Sequence, residues 1–243
     1  MAAFAQPRTG TRRHDGLVES RYRQSRVIKC PVGMAGISSI IRDDAALMVR
    51  QMGSALEPLA GRTILVTGAA GFLCSFFVDV LVAANDALSS LCRVIALDNF
   101  QSSLPERIAH LQTRSDVTCV THDIRQPFTP DGPVDYILHG ASIASPVFYR
   151  RFPLETIDAN VTGTRLMLDL GRAKAARSMV VMSTSESYGD PDAAHIPTEE
   201  SYNGNVSCTG PRVCYDESKR LAETLCRRVF PALPVAGQGH AAI

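Results

Sequence analysis

The chain has 243 residues, 45% of them hydrophobic and 20% charged, with a mean hydropathy of +0.02. That composition can bury a sizeable core and excludes a disordered tail, a collagen-like fibre and a disulfide miniprotein. Lys and Arg number 25 against 24 Asp and Glu, so the net charge of +1 gives no general attraction to nucleic acid or to an anionic membrane, and a shaped pocket is expected to select the ligand.

Residues 1–33 are rich in Arg and poor in periodicity, which predicts a disordered extension; a transit peptide and a true start at Met34 are the alternatives. Residues 34–60 read as an N-terminal helix and linker without chemistry, because Ile37, Ile40, Ile41, Met48, Met52 and Leu56 recur at near-helical spacing. From residue 61 to 235 the pattern alternates. Short apolar runs at Thr63 to Val66, Arg93 to Leu97, Val117 to Val120, Tyr136 to Leu138 and Met179 to Met182 predict strands, with helices over Phe72 to Ala84, around Pro153 to Ala173 and through Tyr215. Near-continuous apolar strands between helices specify an α/β fold, a Rossmann-type doubly wound parallel sheet covered on both faces. The run Ile64 to Ala84 carries only Asp79 as a charge, but Gly68 to Gly71 breaks it, so a buried strand, turn and helix are expected and no membrane span.

The seven cysteines (Cys30, Cys74, Cys92, Cys119, Cys208, Cys214 and Cys226) form no C-x-x-C pair and are odd in number. Reduced thiols in a cytoplasmic protein follow. No His, Cys or carboxylate grouping has ligand spacing, so no metal is expected.

Gly68-Ala69-Ala70-Gly71-Phe72-Leu73-Cys74 follows the first strand of the alternating region and opens its helix. Glycines there let the backbone turn tightly and approach a pyrophosphate, whose charge meets free N–H groups at the helix start. Asp98 ends the next strand, where a carboxylate suits ribose hydroxyls and repels a 2′-phosphate, so NAD is favoured over NADP. Cys74 occupies the place of the usual third glycine, which puts close strand–helix packing in doubt. Further along, Tyr215 and Lys219 stand four apart on one helix face. An ammonium beside a phenol is expected to lower the phenol's pKa and make it a base near neutral pH. The polar cluster Ser183-Thr184-Ser185-Glu186 ends a central strand, on the rim where such sheets bind ligands.

These motifs, with His139-Gly140-Ala141-Ser142-Ile143-Ala144-Ser145-Pro146, Ser183 to Pro191 and Gly210 to Arg220, carry a family resemblance. From about Gly61 to Cys226 the chain resembles the extended short-chain dehydrogenase/reductases, the NAD-dependent epimerase/dehydratase family of nucleotide-sugar enzymes, and within it the UDP-glucuronate decarboxylases. The resemblance implies that Tyr215 takes the proton of the sugar 4-hydroxyl, Lys219 holds the nicotinamide ribose and tunes Tyr215, and Thr184 hydrogen-bonds the same sugar oxygen. It places Glu186 and Ser185 near C5 and the carboxylate. Gly68, Ala70, Gly71, Phe72, Leu73, Asp98, Asn99, Asp123, Ile124, Ala141 and Ser142 are implied to contact NAD together with Tyr215 and Lys219, Asp123 at the adenine. Ser145, Pro146, Tyr149 and Arg150 are implied in binding the sugar nucleotide, UDP-glucuronate being favoured. Arg212 either binds phosphate or caps its helix, and Asn160 either supports the site or is structural.

Ser185 decides the subfamily, because the 4,6-dehydratases put Asp before the Glu; Glu186 weighs more mildly against a 4-epimerase. Both remain alternatives, as does a catalytically inactive NAD-binding module. The family also implies a homodimer through the helix after Pro153 and the helix of Tyr215. The resemblance stops near Phe230. A strand is expected to begin at Leu233-Pro234-Val235, and residues 236–243 match nothing, so a truncated or frameshifted end is expected, with weak NAD binding and poor turnover.

Overall fold

A computed structural model describes residues 26–27 and 39–229. The expected strand at Leu233 to Val235, the tail over 236–243 and the rest of the extension over 1–33 lie outside the described residues. Strand β1, Arg26–Val27, is a two-residue element that the sequence pattern does not announce. Helix α1 spans Ser39–Met52 and runs into a 3₁₀ stretch, Gly53–Leu59, in keeping with the helix read over residues 37–56.

The alternating region begins with β2, Thr63–Thr67, followed by α2, Phe72–Ala84, then β3, Arg93–Asp98, and β4, Val117–Thr121. Next come β5, Tyr136–His139, the short helices α3, Pro146–Arg151, and α4, Pro153–Asp158, then a π-helical turn at Ala159–Gly163 that continues into α5, Thr164–Ala173. Strand β6, Ser178–Val181, and helix α6, Val213–Val229, complete the described elements. The helical stretch predicted around Pro153 to Ala173 is thus one axis with a wider turn inside it, and Pro153 starts a new helix because a proline is best placed in a first turn.

The strand order is β1-β4-β3-β2-β5-β6, with β4 to β6 parallel and β1 antiparallel on the β4 edge. Alternate residues on each strand feed opposite layers. Ile64, Val66, Val94 and Ala96 pack with Cys74 and Val78 of α2. Leu65, Ile95, Leu97 and Ile137 pack with Met167 and Leu168 of α5 and Cys226 of α6. Both faces are buried, which is why the strands read as continuous apolar runs rather than alternating ones. Helix α2 buries Asp79 at 5% exposure, and its carboxylate meets His110 Nε2 at 2.7 Å. Among the described residues no helix is long and apolar enough to cross a membrane.

The chain leaves β2 toward β3 and β4 on one side, then crosses to β5 and β6 on the other. The carboxyl ends of β2 and β5 therefore part at a topological switch point, the place where ligands of open α/β sheets lie. Thr67 and His139 are partners in register there.

Candidate active site at the strand rim

At the end of β2 the backbone turns through Gly68 at φ +67°. A Cβ at that position would lie 2.8 to 2.9 Å from the backbone of Gly140 and Ala141, so only glycine lets the turn lie against the end of β5. The Ala69 N–H donates to Leu97 O at 3.1 Å and the Gly71 N–H to Gly68 O at 2.8 Å, which close the turn. Gly71 then starts α2 with no side-chain cap, leaving first-turn N–H groups available to an anion. The end of β5 is locked by a buried network. His139 Nδ1 meets Thr67 Oγ1 at 2.7 Å, Nε2 meets Thr164 Oγ1 at 3.2 Å, and the Ala141 N–H donates to Thr67 Oγ1 at 3.2 Å. Burial, with the Lys219 charge as a second cause, pushes the His139 pKa down to about 3. A neutral ring with one N–H and one lone pair suits two hydroxyl partners.

A cavity of about 420 Å³ opens above this turn. Gly68, Gly71, Phe72, Leu73, Asp98, Asn99, Asp123, Ile124, Ala141 and Ser142 all line it, and Tyr215 and Lys219 line the same cavity. Ala70 does not. Its N–H is taken up by Asp98 Oδ2 at 2.9 Å, while Asp98 Oδ1 accepts from the Phe100 N–H and the Ser103 hydroxyl, each at 2.7 Å. Asp98 thus ties the glycine turn to the end of β3, and three of its roughly four acceptor positions are in use. Arg125, which the sequence reading passed over, clamps Asp123 through Nε at 2.9 Å and Nη2 at 2.5 Å. Burial raises the Asp123 carboxyl, but Arg125 outweighs it and holds the pKa below the usual range. The Asp-x-Arg spacing was the available signal.

The residues expected to carry chemistry converge from two elements. Tyr215 and Lys219 lie on α6, and Ser183 to Glu186 follow β6. The Lys219 Nζ donates to Met182 O at 2.7 Å and stands 5.9 Å from the centre of the Tyr215 ring. Burial pushes its pKa down to about 8. The Tyr215 pKa corrects the expectation from sequence: it is raised, because burial outweighs the hydrogen bond from Thr184 that lowers it. Removing the phenol from water disfavours the phenolate, and the nearby Glu186 and Asp216 carboxylates disfavour it further. The Ser183 hydroxyl donates to Glu223 Oε1, a second tie from α6 to this loop. Tyr149 of α3 stacks on Tyr215, ring centres 5.3 Å apart and 12° from parallel. Asn160, in the π-helical turn, donates to Ser218 Oγ at 2.8 Å, and Ser218 donates to Cys214 O and Tyr215 O.

A second and larger cavity, about 1360 Å³, runs along β6 and α6 and carries Thr184 and Ser185 on its wall; it shares Met182 and Ser183 with the first. Glu186 and Arg212 are brought together as an ion pair at 2.6 Å, with Asp216 3.8 Å from the same guanidinium. Neither role proposed for Arg212 from sequence foresaw that pairing. Of the residues assigned to the sugar nucleotide, Ser145 lines the first cavity and Tyr149 reaches Tyr215. Pro146 and Arg150 are exposed on α3, which turns its buried side, Tyr149, inward; neither they nor Tyr149, Glu186 and Arg212 line either cavity. The six described cysteines are free, and among the described residues no group of three or more His, Cys, Asp or Glu could hold a metal ion.

Known proteins share this arrangement of sequence. Residues 64–232 match the sequence profile of the NAD dependent epimerase/dehydratase family. UDP-glucuronic acid decarboxylase 1 of Arabidopsis thaliana is 44% identical over 162 residues, 67% of this chain and 35% of that protein. UDP-glucuronic acid decarboxylase 1 of Danio rerio is 39% identical over 165 residues, 68% of this chain and 37% of that protein. The crystal structure of UDP-glucose 4-epimerase from Bifidobacterium longum in complex with NAD+ and UDP superposes with a TM-score of 0.54 at 25% identity, covering 71% of this chain and 50% of that one. The chain therefore spans little more than a third of the length of the two decarboxylases it matches. The family profile covers well over half of the chain, from β2 through α6, and on that ground the chain belongs to the NAD dependent epimerase/dehydratase family.

Proposed function

We propose that this chain carries the dinucleotide site and the proton-transfer residues of an NAD-dependent nucleotide-sugar enzyme, and that its reaction is the decarboxylation of UDP-glucuronate. One observation carries the reading: Tyr215 and Lys219 line the same cavity as the Gly68 to Gly71 turn. The residues fit a dinucleotide. The α2 N-terminus has no side-chain cap, and the buried Ser142 hydroxyl on the cavity wall has no partner in the protein. Gly71, Phe72 and Leu73 would meet the pyrophosphate, Asp98 and Asn99 the adenosine ribose, Asp123 and Ile124 the adenine, and Ala141, Ser142 and Lys219 the nicotinamide half. When bound, NAD would supply a hydride acceptor and donor for the sugar C4.

The remaining work falls to side chains of the chain itself. As the phenolate, which the Thr184 hydroxyl supports, Tyr215 would take the proton of the sugar 4-hydroxyl, with the Thr184 hydroxyl holding the same oxygen. A ketone at C4 lies β to the C6 carboxylate, so loss of CO₂ leaves its electron pair delocalised onto that oxygen. Thr184 and Tyr215 would stabilise the developing charge there, an effect worth about 10²- to 10³-fold for one such donor. Glu186 and Ser185 would govern protonation at C5, with Arg212 paired to Glu186 until a substrate competes for the guanidinium. Leu154, 72% exposed, lies on α4, which packs against α6, and this supports a pairing of two copies through these helices.

The test is incubation of the chain with NAD and UDP-glucuronate, read by mass spectrometry beside Tyr215→Phe. UDP-xylose from the wild type and none from the variant is the expected result. A product that keeps the carboxylate would move the reading to an epimerase. Bound NAD without any product would overturn the decarboxylation reading for this chain and leave the dinucleotide site.

A further inference from the structure

We propose that Cys74 and Gly140 act as one positioning pair, a thiol on α2 seated on a strand-end glycine, which sets the depth of the dinucleotide cavity. The inference rests on the dinucleotide reading above. In the G-x-x-G-x-x-G turn the third small residue allows the helix to lie close to the sheet. Here that position is Cys74, in the first turn of α2, and the room has been taken from the other partner. A Cβ on Gly140 would lie closer than 3.0 Å to the Cys74 Sγ, nearer than real Cβ atoms approach other atoms, with Thr67 O at 3.4 Å and Met182 Cγ at 3.6 Å beside it.

Neither residue has an easy retreat. The Gly140 N–H donates to Thr67 O at 3.2 Å, and Cys74 is only 5% exposed within the α2 layer of the core. The contact also reaches the turn itself, because the space above Gly68 is bounded by Gly140 C at 2.9 Å. Both members line the cavity together with Gly68 and Lys219. A side chain at residue 140 would therefore push α2 away, shift the turn, or both, and moving the helix start displaces the N–H groups that meet an anion.

The experiment is a double-mutant cycle of Cys74→Gly and Gly140→Ala in the full chain, read by thermal melting without cofactor and by calorimetric titration with NAD. Gly140→Ala is expected to lower the melting midpoint by about 5 °C, the usual scale for overpacking in a domain of this size. It is also expected to weaken NAD roughly tenfold. Adding Cys74→Gly to Gly140→Ala should return the midpoint to within about 2 °C of the wild type and restore NAD affinity. If Gly140→Ala does not fold, recovery of fold and affinity in the double variant supports the pair, and failure of the double variant overturns it. A Gly140→Ala variant that melts and binds like the wild type overturns it too, as do losses that simply add. Coupling in the melting with NAD affinity unmoved reduces the pair to packing and overturns its positioning role. Failure of the wild type to bind NAD sinks the dinucleotide reading and, with it, that role, while the melting cycle still reports whether the two residues are coupled.

Discussion

The two cavities meet at Met182 and Ser183 and are built in opposite ways. On the glycine-turn side the polar groups are held before any ligand arrives: Asp98 by three hydrogen bonds, Asp123 by Arg125, Lys219 by the Met182 carbonyl. On the other side, β6 has a single strand partner among the described residues, and Val180 and Leu221 stand 37% and 46% exposed on the wall that carries Thr184 and Ser185. Fixed groups lower the cost of orienting a ligand, whereas an open wall leaves that cost to whatever covers it. The polar groups of the glycine-turn cavity are thus fixed by the sheet rim, whereas the groove along β6 and α6 keeps apolar wall exposed.

The largest effect should come from breaking the link between the two sides. Lys219→Ala removes the ammonium beside Tyr215 and leaves the Met182 carbonyl without its donor. Product formation from UDP-glucuronate is expected to fall by about 10²- to 10⁴-fold, measured as initial rate with circular dichroism confirming the fold. The same residue predicts a pH effect. With its pKa pushed down to about 8, Lys219 loses its charge as pH rises through that value, so the wild-type rate should decline above about 8. A rate that stays level to the ordinary lysine range would contradict a buried, depressed ammonium.

Next in size is the lock under the glycine turn. His139 titrates near 3 in the folded chain against 6.5 for an ordinary histidine, so between those values the unfolded chain binds the extra proton. Stability is full above about 6.5 and is lost as pH falls toward 3, by roughly 1.4 kcal/mol per pH unit inside the window. His139→Gln, whose amide can still serve both threonines, should flatten that slope in urea titrations at stepped pH; an unchanged slope would place the acid sensitivity elsewhere. Smaller again is Gly68→Ala, which combines a positive φ with a Cβ pressed on the Gly140 and Ala141 backbone. A loss of about 2 to 3 kcal/mol is expected, with weaker NAD binding in a calorimetric titration.

Sequence pattern reaches this architecture well on one count and poorly on another. Strands buried on both faces leave continuous apolar runs, and the runs read from Thr63, Arg93, Val117, Tyr136 and Met179 lie within a residue of β2 to β6. The glycine turn at the end of β2 and Tyr215 with Lys219 on α6 land on one cavity, because α6 packs beside the strand ends and Lys219 reaches the Met182 carbonyl just after β6. What the pattern does not carry is pairing between distant side chains. Arg212 with Glu186, Ser183 with Glu223 and the Cys74 thiol against Gly140 depend on which way a side chain turns after the backbone is set. The Tyr215 pKa was misread for the same reason, since adjacency to a lysine is visible in sequence and burial is not.

The smallest effect tests the open wall. Leu221 lies on α6 two residues beyond Lys219, yet it is 46% exposed and faces the groove, whereas Leu65 at the centre of β2 is fully buried. Truncating Leu65 to Ala should cost about 2 to 5 kcal/mol, because a core cavity is left behind. Leu221→Ser gives up only the half of its surface already removed from water, so its cost should stay under about 1 kcal/mol and its melting midpoint within about 4 °C of the wild type. NAD affinity should not move at all, because no atom of the glycine-turn cavity belongs to Leu221. Should Leu221→Ser weaken NAD instead, α6 would have to transmit changes from groove to cavity through Lys219, and the two sides would be one site rather than two.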